Sequence, residues 1–189
     1  MSTAKAKKQV FQLKVTLAEV SPVVWRRILV PADAALAHLH LVLQVAMGWN
    51  DSHLHCFETA GGRYGMIDLE EDSPDLLDER KVKLAKVLPN RKARLFYSYD
   101  YGDGWSHEVV LEAILPTDPR HTYPLCIGGG GACPPDDCGG PGGYRELVRV
   151  LRSPKDEEYD DMLTWVGGYF DPASFDANEV NRAFRFEEL

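Results

Sequence analysis

The chain has 189 residues, 44% hydrophobic and 26% charged, with a net charge of −8. This is ordinary globular composition, long enough to bury a core as one domain. No run of 18 apolar residues occurs, so no membrane span is expected, and the acidic balance argues against a dedicated nucleic-acid binder, which needs clustered Lys and Arg.

Residues 1–9, "MSTAKAKKQ", read as a flexible basic tail carrying Lys5, Lys7 and Lys8, and 10–189 as a single α+β domain. The start has no apolar h-region, so the expected location is the cytoplasm. There, four cysteines are thiols or metal ligands rather than disulfides.

"VFQLKVTLAEV" alternates: Phe11, Leu13, Val15 and Leu17 face one way, Gln12, Lys14 and Thr16 the other, as in a half-buried strand. Ser21–Pro22 breaks it, and "VWRRILV" makes a second strand, with Arg26 and Arg27 as strand-edge charges. "ALAHLHLVLQVAMGW" is a helix with Leu36, Leu39, Leu43 and Met47 on one face, Asp33 as N-cap and Gly48 as its stop. "SHLHCFET" is a short strand that puts His53, His55 and Phe57 on one face. An acidic loop follows, with seven carboxylates in "MIDLEEDSPDLLDER", and then a short helix "KVKLAKVL" ended by Pro89.

"ARLFYSYDYGDGWSHEVVLEAI" forms two strands around a tight turn at Gly102–Asp103–Gly104. The next 27 residues, 116–142, form a long glycine-rich loop, the kind that is functional or disordered. Three helices close the chain: "GYRELVRVL"; "SPKDEEYDDMLTWVG", capped by Ser153; and "FDANEVNRAF", capped by Asp176. The predicted fold is α+β: an antiparallel or mixed sheet, one early helix packed on it, and a C-terminal cluster of about three helices.

Several segments carry chemistry. In "GACPPDDCGG" and just before it, Cys126, Cys133 and Cys138 are separated by six and four intervening residues, a weak match to the closer pairs of zinc fingers. Zinc is the cofactor this loop suggests, with Cys56 or a histidine as fourth ligand; the plain alternative is buried thiols under a proline-stiffened loop. A redox pair is disfavoured by the spacing. His53 and His55, with His107, Asp100 and Asp103, offer imidazole and carboxylate, a set suited to Zn, Mn or Fe that could activate water. The bland readings are a core histidine beside Trp105 and a turn aspartate at Asp103. "IGGGGA" and "GGPGGY" are similar to phosphate loops but lack the Lys–Ser/Thr ending, so they read as flexible. Trp49, Trp105 and the tyrosines 97, 99 and 101 are core or the wall of a groove.

"VWRRILVP", "LHLVLQVAMGWNDSHLHCF", "DERKVKLAKVL", "YSYDYGDGWSHEV" and "ACPPDDCGGPGGY" occur in one order. In this the chain resembles the plasmid pRiA4b ORF-3-like family, some of whose members carry the label of TnpR-type passenger proteins of insertion elements. The resemblance implies an α+β domain with no assigned activity and an association with plasmids and mobile elements. A serine recombinase needs a nucleophilic serine held among arginines, and no such arrangement is readable here.

Two functions are weighed. One is a non-catalytic cytoplasmic accessory module that binds a protein or small molecule rather than nucleic acid or membrane, in a pocket of Trp49, Asp51, His53, His55, Asp100, Asp103, Trp105 and His107. The other is a metal-dependent hydrolase using His53, His55, Asp100, Asp103 and His107 around one ion. On both, the "GWNDSHLH" and "DYGDGWSH" segments are expected to be neighbours, with the cysteine loop clamped over them.

Overall fold

Alternation and helical periodicity account for the first elements. The computed structural model describes residues 8–67 and 75–187, so the first seven residues of the basic tail and the central part of the acidic loop lie outside the described residues. β1 (Gln9–Leu17) buries Phe11, Leu13, Val15 and Leu17, and β2 (Trp25–Pro31) pairs with it antiparallel, Leu13 opposite Ile28. Gln9 already belongs to the sheet, one residue inside the expected tail. α1 (Leu36–Met47) buries Leu36, Leu39, Leu43 and Met47 and stops at Gly48, whose φ of 81° is the left-handed conformation glycine adopts cheaply. Asp33 is not its cap. The position before the helix is Ala35, and the Leu36 N–H is satisfied by the backbone oxygen of Val82 at 2.9 Å.

β3 (His55–Thr59), β4 (Gly62–Gly65), β5 (Leu76–Asp78), β6 (Arg94–Tyr99), β7 (Trp105–Pro116) and β8 (Leu125–Gly130) complete one eight-stranded sheet, ordered β5-β4-β3-β6-β7-β1-β2-β8. All pairs are antiparallel except β4 with β5. A 3-10 turn (Glu79–Lys81) and a four-residue helix, α2 (Leu84–Val87), separate β5 from β6. α3 (Gly140–Leu151), α4 (Tyr159–Trp165) and α5 (Ala177–Phe186) follow. The fold is therefore α+β, with a mixed sheet, an early helix and C-terminal helices. No helix among the described residues is long and apolar enough to cross a membrane.

One sheet face and the helices share a continuous core of Leu13, Val15, Ile28, Leu39, Leu43, Tyr97, Trp105, Val109, Tyr144, Leu147 and Phe184. The other face is laced by polar pairs. Arg27 reaches Glu112 through two bonds of 2.6 and 3.0 Å, Gln12 reaches the same carboxylate at 2.7 Å, and Arg94 pairs with Glu108 at 2.7 Å. Arg27 holds the Glu112 carboxyl below its ordinary range. Arg26 is no edge charge. It points into the core side and is 4% exposed.

The segment expected to be one long loop contains β8. Its glycines are not there for flexibility. A side chain at Gly129 would run into the Phe175 ring, and one at Gly130 would come within 2.8 Å of Trp25 Nε1. Two aromatic rings fill the space that side chains at these positions would occupy. Its free edge is closed by Asn181 of α5, whose amide accepts from Cys126 N–H and donates to Cys126 C=O, both at 2.8 Å, as a neighbouring strand would.

The C-terminal helices match their signals unevenly. Asp176 caps α5 through a 2.8 Å bond from Asn178 N–H. Ser153 does not start a helix: 153–158 form turns held by the 2.8 Å Arg149–Asp156 pair, and α4 begins at Tyr159 with no buried residue.

Candidate functional site

The two tryptophan segments do meet. Trp49, just past the stop of α1, lies 4.9 Å from the Tyr99 ring, 5.8 Å from Trp105 and 5.3 Å from His107, centroid to centroid. Its Nε1 donates to the Pro134 carbonyl at 2.9 Å, and Asn50 N–H donates to Asp136 at 3.1 Å. Asp103 accepts from Gly139 N–H at 3.1 Å, and its backbone carbonyl presses on Gly140, where any side chain would collide. The 131–139 segment is thus pinned onto both tryptophan segments by its backbone and its aspartates.

The aromatic part is not a groove. Tyr97, Tyr99, Trp105 and His107 are 0% exposed, and Trp49 is 6% exposed. His107 Nδ1 lies 3.1 Å from the Tyr97 carbonyl, which can only accept, so Nδ1 carries the proton. Its Nε2 is then an acceptor without a donor, and Trp105 Nε1, two residues away, is a donor without an acceptor. Burial pushes His107 down to about 4.

The five residues of the hydrolase reading do not surround one ion. His55, the first residue of β3, joins a second set with His40. The two imidazoles stack at 3.5 Å with planes 4° apart. His40 Nε2 is 2.7 Å from Asp51 Oδ1, and His55 Nε2 is 2.8 Å from Glu79 Oε2. His40, Asp51 and His55 offer ligand atoms within 4.8 Å of one another, but the stack is wrong for a metal. Lone pairs of parallel rings run parallel, so an ion between them would sit out of both ring planes by about half their separation.

The set is instead a closed hydrogen-bond circuit. Asp51 N–H donates to Gln44 Oε1 at 3.0 Å, Gln44 Nε2 donates to Tyr97 Oη at 2.9 Å, Tyr97 Oη meets His40 Nδ1 at 2.8 Å, and His40 Nε2 meets Asp51. With the Gln44 amide fixed by Asp51, the phenol donates to Nδ1 and His40 stays neutral. Burial and the neighbouring His55 push His40 down, against the pull of Asp51, and burial raises Tyr97 well above its ordinary value. The circuit fixes Asp51 at φ 53°, an unusual conformation for a side-chain-bearing residue. Tyr97→Phe strands the buried Gln44 donor and His40 acceptor, so urea unfolding is expected to show a loss of about 2 kcal/mol. An unchanged midpoint would remove the circuit from the account of this loop.

The set with metal geometry forms where three loops converge. His53 precedes β3, Asp100 follows β6, and Asp137 lies in the 131–139 segment. His53 Nε2 is 3.3 Å from Asp137 Oδ1 and 3.6 Å from Asp100 Oδ2, and the three atoms lie within 4.8 Å of one another. Ligands about 2.1 Å from a tetrahedral ion stand roughly 3.4 Å apart, so the spacing suits an ion without rearrangement. His53 Nε2 is buried and has no hydrogen-bond partner. Asp100 directs Oδ1 to the N–H groups of Gly102 and Asp103, at 2.9 and 3.3 Å, and so presents Oδ2 to His53. Asp100 and Asp137 have φ of 54° and 58°, costly conformations of the kind that collect at functional sites. Burial, with Asp137 and Asp100 nearby, raises the Asp136 carboxyl. Side-chain exposure runs from 11% at Asp100 through 29% at His53 to 73% at Asp137, so the site opens to solvent on one side.

The cysteine zinc site finds no counterpart among the described residues: no sulfur joins a group of three ligand atoms. Cys126 and Cys56 are buried, and their thiols meet the carbonyls of Gly128 at 3.5 Å and Phe57 at 3.6 Å. Burial raises Cys133 and pushes Cys138 up to about 12, away from the thiolate that redox exchange needs. Of the expected residues, the structure brings His53 and Asp100 together with Asp137. It sets Asp51 in the circuit, His55 beside it on His40 and Glu79, Asp103 on the helix start, and Trp49, Trp105 and His107 in the core. Asp137 stood in the "CPPDDC" stretch, whose two acids were the available signal; His40 was hidden in an apolar helical run.

The chain matches the model of the plasmid pRiA4b ORF-3-like protein family over residues 9–179. It is 39% identical over 176 residues to the uncharacterized protein y4hQ of Sinorhizobium fredii (strain NBRC 101917 / NGR234), covering 92% of this chain and 90% of that protein. It is also similar to the crystal structure of MM3350, a protein of unknown function from Methanosarcina mazei Go1, with 36% identity, a TM-score of 0.84, and coverage of 92% and 98%.

Proposed function

We propose, for a chain that belongs to the plasmid pRiA4b ORF-3-like protein family, a cation-dependent binding module in which a divalent ion is held by His53, Asp100 and Asp137. The observation that carries this reading is the buried His53 Nε2, which has no hydrogen-bond partner and faces two carboxylate oxygens at 3.3 and 3.6 Å. One imidazole and two carboxylates suit Mn, Fe or Zn. Three protein ligands leave coordination positions for water or for a donor atom of the ligand. Asp103, Asp136 and Asp137 around the mouth would repel a phosphate backbone, so the partner is a protein or small molecule acting in the cytoplasm. The site groups an imidazole with carboxylates rather than a serine with arginines, so the module is read as an accessory rather than a resolvase.

The test is titration of untagged protein with Mn²⁺ and Zn²⁺ by calorimetry, followed by thiol titration with and without chelator. One ion per chain, with thiol reactivity unchanged by the chelator, is expected. No heat for either ion, or binding that survives His53→Ala, would sink the reading. The open coordination positions also favour a second reading, a metal-dependent hydrolase, because three protein ligands plus water is the catalytic pattern. Turnover of p-nitrophenyl esters or phosphodiesters by the Mn²⁺-loaded chain, lost in Asp100→Asn, would select it.

A further inference from the structure

A cavity of about 330 Å³ lies between the C-terminal end of α1 and α5, and none of its lining residues belongs to the cation site. Its wall includes Arg26. Arg26 is 4% exposed and its guanidinium is held by carbonyls: Nε donates to Ala46 at 3.0 Å, and Nη1 donates to Trp25, Gly130 and Gly131 at 2.9, 3.1 and 3.0 Å. Phe175 covers one face at 4.5 Å. Nη2 makes no bond, and among the described residues no carboxylate lies within 4.0 Å of the guanidinium. A buried cation without a counter-ion is costly.

Two acids line the same cavity without reaching Arg26. Asp176 caps α5, and Glu179 uses one oxygen on Arg182 at 3.4 Å. The same wall carries apolar side chains, Met47, Val180 and Phe175 among them. The cavity therefore offers an unpaired positive charge, two acids that do not reach it, and hydrophobic surface. A simple carboxylate would satisfy Arg26 but face Asp176 and Glu179; a simple amine would do the reverse. We propose that this cavity binds a small zwitterion, an α-amino acid with an apolar side chain: carboxylate on Arg26, ammonium toward Glu179 and Asp176, side chain against Met47, Val180 and Phe175. The volume is at the lower end for small-molecule sites and takes a leucine-sized ligand.

Calorimetry and amide NMR of the full chain with L-leucine test this, with isocaproate (no ammonium) and isoamylamine (no carboxylate) as comparators. Leucine is expected to saturate with Kd between roughly 10 μM and 1 mM, shifting the amides of Ala46 and Gly48, and both comparators are expected to bind about tenfold more weakly or worse. Glu179→Gln, on an exposed helix face, brings leucine and isocaproate to within about threefold of each other. Ala183→Leu fills the cavity and abolishes binding. The proposal is overturned if leucine fails to saturate, if a comparator matches it, or if its affinity survives Ala183→Leu.

Discussion

Asp100→Asn is expected to weaken divalent-cation binding about 100-fold or more while leaving the thermal midpoint nearly unchanged. The two effects separate because the two oxygens of Asp100 do different work. Oδ1 accepts from Gly102 and Asp103 N–H and so builds the turn; the asparagine carbonyl does the same. Oδ2 faces His53, and there the amide puts an N–H₂ that cannot ligate. Replacing groups that merely orient a ligand already costs roughly 10–100-fold in affinity, so losing a ligand atom costs at least the upper part of that range. Asp137→Asn is expected to cost only about tenfold, because its side chain is 73% exposed and swings at the open rim. Calorimetry with Mn²⁺ against scanning fluorimetry reads both quantities. A midpoint that collapses with the affinity would make Asp100 a turn residue alone.

The same residues show why part of the molecule is legible in one dimension and part is not. Alternation over 11–17 and the Asp176 cap are local statements, and the local structure obeys them. β8 breaks local rules: half of "LCIGGG" is glycine, and the space that side chains would need is taken by Phe175, 46 positions after Gly129, and by Trp25, 105 positions before Gly130. Period two places His53 and His55 on one strand face, but β3 begins at His55. That leaves His53 in a loop, free to face Asp100 and Asp137 while His55 stacks on His40. Residue types that suit a metal were visible in the sequence. Which of them converge was decided by the pairing of β3 with β6 and by the 131–139 segment folding back over Trp49. Arg26 was unreadable for a related reason: nothing beside it in sequence announces a cavity closed by a helix about 150 residues later.

Acid is expected to destabilise the protein well above the range in which carboxylates titrate, and His107 is the largest cause. Its imidazole is fully buried, and burial lowers it from 6.5 to about 4, against a small opposing pull from the Tyr97 carbonyl. The unfolded chain protonates this histidine below about pH 6.5, whereas the folded chain resists until about pH 4. Between those values the unfolded state binds more protons, so stability falls as pH falls. The slope approaches about 1.4 kcal/mol per pH unit, and the full loss is roughly 3 kcal/mol. His38 and His40, both lowered by burial, add to it with the same sign. The carboxylates held low by partners, Glu112 beside Arg27 and Glu146 beside Arg149, lose their contribution only below their unfolded values near 4.5. Urea unfolding at pH 7.0, 6.0 and 5.0 therefore isolates the histidines. His107→Leu keeps an apolar side chain of similar bulk against Trp49 and Tyr97 and is expected to flatten most of that slope. A slope as steep in the variant as in the parent would assign the acid sensitivity to other groups, and His107 would then be a neutral packing residue in the aromatic core.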